Sequence, residues 1–497
     1  MLAHVVLYAA LVGAVATGPF DPLQHSGASS PYFNAPSQDG IATSTPSNCK
    51  VDQAAYILRH GSRYPEPGSF SGWQSLFAKF QNATYTAKGP LAFIPSWVPP
   101  VDDIPHQPLF LSSTGAREAF TLGVDLRKRY GLTKGGDNIT VWAASQQRVV
   151  DTASFFVRGY LSQGNYLTTP NENRGNIITL ADSVNFTFAD SLTPSAACPT
   201  YNAASTGATL ASDFRATYQS SIAARLNHFL EGLTLNATDI GVMQDLCGFQ
   251  AEINGDTRFC DVFEDSEWLD YEYADDLNYY YGSGPGNPIA AATGFPWVKA
   301  VTDLFNVGPG HTVSGGTLTP PPLIMGFTVI TALSPSCYLL TRLEQHDNNL
   351  PPVVAALGLW NTSSNKNVYP LSLTKPNNKR EFRSSYLVSF HGHVTLERLA
   401  CTANGPSDTV KHIANQLPLT GPTDSYINNA PVAIPGCTSG PGSSCPLDEF
   451  TTYVKQRGIA SGDYVKTCGL QNVSNATSVA SFLTTDPDPS TVQLISL

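Results

Sequence analysis

The chain has 497 residues, 42% of them apolar, enough to enclose a sizeable core; two domains are expected, and a fibrous or disordered polymer is excluded. Acidic side chains outnumber basic ones by 39 to 28, the formal net charge is -11, and no long basic run offsets the excess, which argues against a nucleic-acid partner. A small anionic ligand stays open, because a local arginine cluster overrides the global field.

Residues 1–16 read as a signal peptide. Val5 to Ala16 is apolar, and Ala14-Val15-Ala16 suits signal-peptidase cleavage. The run is too short to span a bilayer comfortably and no second long apolar segment follows, so a secreted protein, extracellular or in the cell wall and without stable membrane association, is expected. Residues 17–48, rich in Pro, Ser, Gly and Asn and without a period, read as an extended lead-in.

The first part of an α/β domain is expected over 49–160. The apolar run Ala54 to Leu58 ends at Arg59 and His60, then Gly61, as where a buried strand stops and a functional loop begins. A helix is predicted over 115–130, with Ala119, Leu122, Leu126 and Tyr130 at helical spacing, Glu118 in the first turn and Gly131 as the stop. ITVWAA (139–144) predicts a strand. RVVDTASFFVRGYL (148–161) predicts a helix with Val149, Ala153, Phe156 and Tyr160 on one face and Arg148 at the preceding turn.

From 161 to 320 a mainly helical inserted domain is expected, with helices near 211–233 and 265–281. GSGPGNP (282–288) reads as a loop; it lacks the Lys-Ser/Thr of a phosphate-binding P-loop, and its prolines limit donor geometry. The α/β domain resumes over 321–497, where LPPVVAALGLW predicts a helix entered through prolines, YLVSF and HVTLERL strands, and CPLDEFTTYV a short helix. The fold class is α/β, a mixed central sheet flanked by helices with a smaller helical insertion.

Nine cysteines suit an oxidising compartment, where four pairs form and one is left over. Cys247/Cys260 and Cys437/Cys445 are near enough in sequence to close local loops, and the long-range pairing stays open. Their spacing is unlike a compact zinc motif. Seven Asn-x-Ser/Thr sequons, at Asn82, Asn138, Asn185, Asn236, Asn361, Asn472 and Asn475, agree with a secreted glycoprotein.

The candidate chemistry lies in three places. In RHGSRYP (59–65), Arg59 and Arg63 present planar donor forks suited to phosphate oxygens, and Gly61 allows a tight turn beneath them. Their charge disfavours imidazolium, which keeps His60 neutral and nucleophilic; the bland alternative is a surface basic patch. Arg148 has the same setting at a helix start, where the alternative is an ordinary flanking arginine. His346 is a candidate phosphate donor and Asp347 a candidate acid for the departing alkoxide.

Together these regions resemble the histidine acid phosphatases, especially the fungal secreted acid phosphatase and phytase branch. The resemblance runs through RHGSRYP, RVVDTA, FCDVFEDSEW (259–268), YYYGSGPGNP (279–288), HDNNLPPVVAALGL (346–359) and ERLAC (397–401), over about 49–470. It implies His60 as nucleophile, Arg59, Arg63 and Arg148 as phosphate clamp, His346 as a further phosphate donor and Asp347 as general acid, with no metal or cofactor. It also implies disulfides 49–401, 198–468, 247–260 and 437–445, leaving Cys337 alone. The implied substrates are small phosphate monoesters, with phytate as the alternative. Specialised phytases carry lysines near the positions of Leu277 and Asn278, whereas here Asp275 and Asp276 precede two uncharged residues and are expected to repel a polyphosphate.

Two departures stand out. The stretch 326–345 before the His346-Asp347 pair is longer than in relatives and contains Pro335 and Cys337, as a loop insertion or as translated intron sequence. In Phe390-His391-Gly392-His393 relatives often have Arg at the last position, and both histidines read as structural or surface residues. A phosphotransferase that shields its phosphohistidine from water, and a non-catalytic glycoprotein that binds phosphorylated ligands, are the readings outside the hydrolases. Oligomeric state is not legible.

Overall fold

The computed structural model describes residues 19–36, 41–42, 44–131, 138–162, 174–180, 192–193, 197–328, 349–363, 365–402, 409–417, 430–474, 476–486 and 492–497. In chain order its strands are β1 (Cys49–Arg59), β2 (Thr86–Ala87), β3 (Ile139–Ala144), β4 (Gly175–Leu180), β5 (Leu230–Glu231), β6 (Leu323–Thr328), β7 (His393–Thr402), β8 (Thr409–Leu417), β9 (Ala430–Val432), β10 (Cys445–Pro446) and β11 (Val492–Ser496). Among the described residues nine of them form one mixed sheet in the order β10-β8-β7-β1-β6-β3-β4-β11, with β9 on β8; β2 and β5 pair separately.

The middle of the sheet is parallel: β1 pairs with β6, β6 with β3, and β3 with β4. These strands are apolar almost without interruption because both faces are covered; Ala54 to Leu58 and Leu323 to Phe327 are all buried. The flanks are antiparallel, β7 against β1 and β11 against β4. β4 belongs to this sheet although its residues fall in the stretch expected to be a helical insertion.

Helices cover the sheet and build the region beside it. α1 (Pro67–Gln81) is entered through Pro67. α2 (Ser113–Tyr130) is capped by Ser112, whose Oγ accepts the Gly115 N–H, and stops at Gly131 in the left-handed conformation; α3 (Gln147–Leu161) packs on it. Glu118 is therefore in the second turn of α2, since the cap adds two residues ahead of the expected start. α4 (Pro199–Ala204), α5 (Gly207–Asn227), α6 (Ala237–Asn254) and α7 (Asp265–Gly282) follow, with α5 packed on α6 and α7. The helix expected near 211–233 begins earlier and ends at Asn227, because Leu230 is taken by pairing with Ala87. α8 (Ala290–Val307) packs on α9 (Leu350–Ala356) and α11 (Leu447–Ser461). α10 (Ser384–Leu387) and α12 (Tyr464–Thr467) are single turns.

YLVSF is not a strand. Ser384 fixes a helical turn by giving both its backbone N–H, at 2.6 Å, and its hydroxyl, at 2.7 Å, to buried Asp276. The described start of the lead-in is not extended: 3-10 turns at Pro22–His25 and Gly27–Ser29 pack against α6, α7 and α10, and Ser26, Ser29 and Ser30 are buried.

All four expected disulfides form, Cys49–Cys401, Cys198–Cys468, Cys247–Cys260 and Cys437–Cys445. The first joins directly opposed residues of β1 and β7. Cys337, His346, Asp347 and most of the 326–345 stretch lie outside the described residues, as do the signal segment and the sequons at Asn185 and Asn475. Among the described residues no helix is long and apolar enough to cross a membrane.

Candidate active site

Two parallel strands deliver the first candidate residues to one edge of the sheet. β1 ends at Arg59, and β3 ends at Ala144, shortly before Arg148 in the first turn of α3. Between them lies β6, the strand that leads into the segment carrying His346 and Asp347. The carboxyl ends of parallel strands are where open α/β sheets bind ligands.

The loop after β1 is fastened from both sides. Arg59 N–H donates to Gly392 O at 2.8 Å, and His391 N–H donates to His60 O at 3.2 Å. Gly61 N–H donates to Thr152 Oγ1 at 3.1 Å, and Thr152 donates in turn to Arg148 O at 2.7 Å, which ties the loop to the turn bearing Arg148. Ser62 O accepts from both the N–H and the hydroxyl of Ser112, the cap of α2. Gly61 is needed here for space: its φ is not positive, but an added Cβ would lie 2.6 Å from the His391 ring.

His60 is fully buried, and Arg59, Arg63 and Arg148 are 2%, 1% and 4% exposed. Burial, then the charges of Arg148, Arg59 and Arg63, hold the imidazole well below its usual pKa, against a smaller opposing effect of the Gly61 carbonyl. Nδ1 lies 2.8 Å from Gly61 O, and because a carbonyl only accepts, the ring proton belongs on Nδ1. The lone pair is then on Nε2.

Backbone, aromatic and carboxylate groups hold the Arg59 and Arg63 guanidinium groups. Arg59 Nη1 donates to Ala28 O at 2.6 Å and Val388 O at 2.5 Å, and its guanidinium lies 4.5 Å from the Phe390 ring centre. Arg63 pairs with Glu66 at 3.0 Å and lies 5.6 Å from the Phe249 ring centre. Arg59 and Arg63 also line a cleft reaching α5, α6 and α7. Such a concentration of buried positive charge suits an anion with several acceptor oxygens.

Behind the loop sits a carboxyl pair. Ser62 Oγ bonds the Glu252 carboxyl and lies 3.2 Å from Glu118 Oε2, which is 3.4 Å from His391 Nε2. A hydroxyl has a single proton, so with both bonds made one carboxyl carries the other. Burial and the Glu118 charge push Glu252 up to about 8, which assigns the proton to it.

Arg59, His60, Arg63 and Arg148 are thus brought together. His346 and Asp347 lie outside the described residues. Thr152, Phe390, Ser62, Glu252 and the Ala28 carbonyl support the site without having been singled out in the sequence. Thr152 and Phe390 stand inside motifs already noted, but a backbone carbonyl such as that of Ala28 leaves no side-chain signal. His391 and His393 are buried.

The acids of α7 are arranged differently from expectation. Asp276 is fully buried against Arg380 and Ser384, and Leu277 is buried too, so neither faces the cleft. Asp275 does line it, already paired with Arg215 at 2.8 Å, and so does Asn278.

Relatives include an acid phosphatase of Komagataella pastoris, 28% identical over 459 residues that cover 91% of this chain and 87% of that protein. A phytase of Candida albicans is 28% identical over 461 residues, covering 91% and 88%. The crystal structure of the phytase from D. castellii shares the fold, with a TM-score of 0.77 at 22% identity over 95% of this chain and 93% of that one. The family model described as histidine phosphatase superfamily (branch 2) matches residues 50–415. That match spans well over half of the sequence: the chain belongs to the histidine phosphatase superfamily, branch 2, and is a hydrolase of its acid phosphatase and phytase type.

Proposed function

We propose that this chain is a secreted acid phosphatase that hydrolyses phosphate monoesters through a phosphohistidine at His60. The observation that carries the reading is a fully buried imidazole beside three arginines, with its Nδ1 on the Gly61 carbonyl and its pKa lowered. A neutral imidazole is the form that attacks, and this one stays neutral into the acidic range.

In the first step Nε2 of His60 bonds to phosphorus as the bond to the ester oxygen breaks, and Asp347 gives its proton to the departing alkoxide. Arg59, Arg63, Arg148 and His346 hold the phosphoryl oxygens, where charge spreads in the transition state. In the second step water attacks phosphorus, Asp347 takes a proton from it, the bond to Nε2 breaks, and phosphate leaves with His60 neutral again. An acidic optimum follows because Asp347 must enter protonated.

Purified wild type and His60→Ala are compared on several esters at acidic pH, with acid-quench trapping of labelled enzyme. Turnover and a trapped label in the wild type, both lost in the variant, are expected; turnover surviving in His60→Ala would refute the nucleophile. Phytate hydrolysis is the second reading, favoured by the burial of Asp276 away from the cleft. Catalytic efficiency on phytate against an aryl phosphate separates the two. Secretion draws support from four disulfides, which persist in oxidising compartments, and is tested by recovering processed protein from the culture medium.

A further inference from the structure

Phe390, His391 and Gly392, just before β7, bracket the nucleophile. Gly392 O accepts the Arg59 N–H, His391 N–H donates to His60 O at 3.2 Å, and the Arg59 guanidinium lies over the Phe390 ring. His391 has φ +57°, a left-handed conformation that bulky L residues seldom adopt and that glycine or asparagine takes without strain. Such a conformation persists only where the surroundings fix it. The imidazole is 1% exposed, and among the described residues neither ring nitrogen has a hydrogen-bond partner. Its contacts run to the nucleophile loop instead. The ring lies over Gly61, where an added Cβ would come within 2.6 Å of Nε2, 2.8 Å of Cε1 and 3.0 Å of Gly115 O, so Gly61 is wedged between His391 and α2. Glu118 Oε2, 3.4 Å from His391 Nε2, also takes the Ser62 hydroxyl. With the proton of the carboxyl pair on Glu252, Glu118 is the carboxylate that draws the Nε2 edge of the ring towards α2.

We propose that His391 is a positioning residue for His60: held by Glu118, its ring is the stop against which Gly61 rests, and it thereby fixes the carbonyl that orients the nucleophile. The inference rests on the phosphohistidine reading and adds a residue to it. Gly61 O accepts from His60 Nδ1 at 2.8 Å, so a displaced Gly61 turns the imidazole and moves the Nε2 lone pair off the line of attack. The arginines have their own supports, Arg59 on the Ala28 and Val388 carbonyls and Arg63 on Glu66. Loss of the ring is therefore felt in phosphoryl transfer and not in the holding of phosphate, a split that a merely structural role would not produce.

His391→Asn and His391→Gly suit the left-handed backbone and keep its N–H for His60 O, but neither side chain reaches Glu118 from above Gly61. His391→Gln restores a donor at the reach of Nε2. Wild type and the three variants are compared by the single-turnover rate of labelled-enzyme formation from an aryl phosphate and by the inhibition constant of inorganic phosphate. Asn and Gly should each lower the labelling rate by about thirtyfold, the scale of a misplacement below one ångström, with phosphate inhibition within about twofold of wild type; Gln should return the rate to within about threefold. Labelling that stays at the wild-type rate in Asn and Gly, a Gln variant no faster than these two, or phosphate inhibition that weakens in step with the rate overturns the proposal, while a labelled wild type leaves the phosphohistidine reading standing. A wild type that takes no label from any ester overturns both.

Discussion

Arg148 approaches His60 from α3, whereas Arg59 and Arg63 come with the loop itself, so replacing Arg148 lowers the local charge while leaving the end of β1 intact. After burial, Arg148 is the strongest influence holding the imidazole pKa down. Arg148→Gln should therefore raise that pKa, and because imidazolium has no lone pair at Nε2, the acid limb of kcat/KM should move to higher pH. The plateau should also fall by about a hundredfold, the usual cost of losing one preorganised donor to a developing charge. A profile of kcat/KM against pH checks both, and a lower plateau with an unmoved acid limb would separate Arg148 from His60. At this scale the sequence was informative where charge stands at a chain turn: Arg59, His60, Arg63 and Arg148 each sit where an apolar strand gives way to a loop or helix. Thr152 was hidden because it acts through a single hydrogen bond to Gly61, 91 residues away, and Phe390 because it acts through a ring face.

Among the elements, the lead-in carries more of the site than its composition suggests. Its Ala28 carbonyl accepts from Arg59, and Asp275 accepts from the Ala28 N–H, so one residue, through its two flanking peptide groups, links α7 to Arg59. Gly27 has φ +57°, and an added Cβ would lie 2.0 Å from Asp275 Oδ2. Gly27→Ala should displace this turn, loosen Arg59 and raise KM for an aryl phosphate by about tenfold, a change of about 1.4 kcal/mol. Inhibition by inorganic phosphate should weaken in parallel, and unaltered phosphate inhibition would show that the turn does not position Arg59. Strands that are continuous apolar runs, β1 and β3, and helices with one buried face, α2 and α3, were legible from their patterns. α6 was not, because Ile240, Met243, Leu246, Phe249 and the polar Gln244, Gln250 and Glu252 are all buried, which removes any single apolar stripe. YLVSF misled because its apolar spacing fits a strand, while the anchoring to Asp276 that makes it a turn comes from a distant helix.

For the molecule as a whole, the mixed sheet was readable from the order of apolar runs, but the long-range disulfides followed from the resemblance alone, since spacing over 352 and 270 residues leaves partners undetermined. Nor does sequence show that α2, α6 and the loop after His60 meet at one carboxyl pair, half-buried Glu118 and buried Glu252. That junction makes stability depend on pH. Glu252 ionises near 4.5 when solvated and at about 8 in the fold. Below 4.5 it is protonated whether the chain is folded or unfolded and has no differential effect; between 4.5 and about 8 only the unfolded chain releases the proton, so the folded state loses about 1.4 kcal/mol per pH unit from this group. Stability from this source is thus fully present in acid and lost as pH rises through that window. Glu252→Gln keeps an oxygen for the Ser62 hydroxyl but has nothing to ionise. Melting temperatures of wild type and variant should converge at the acid end and separate as the buffer approaches neutrality, with the variant the more stable there. Parallel curves across the window would mean that Glu252 is ionised in the fold at all these pH values, against the raised pKa of its buried carboxyl.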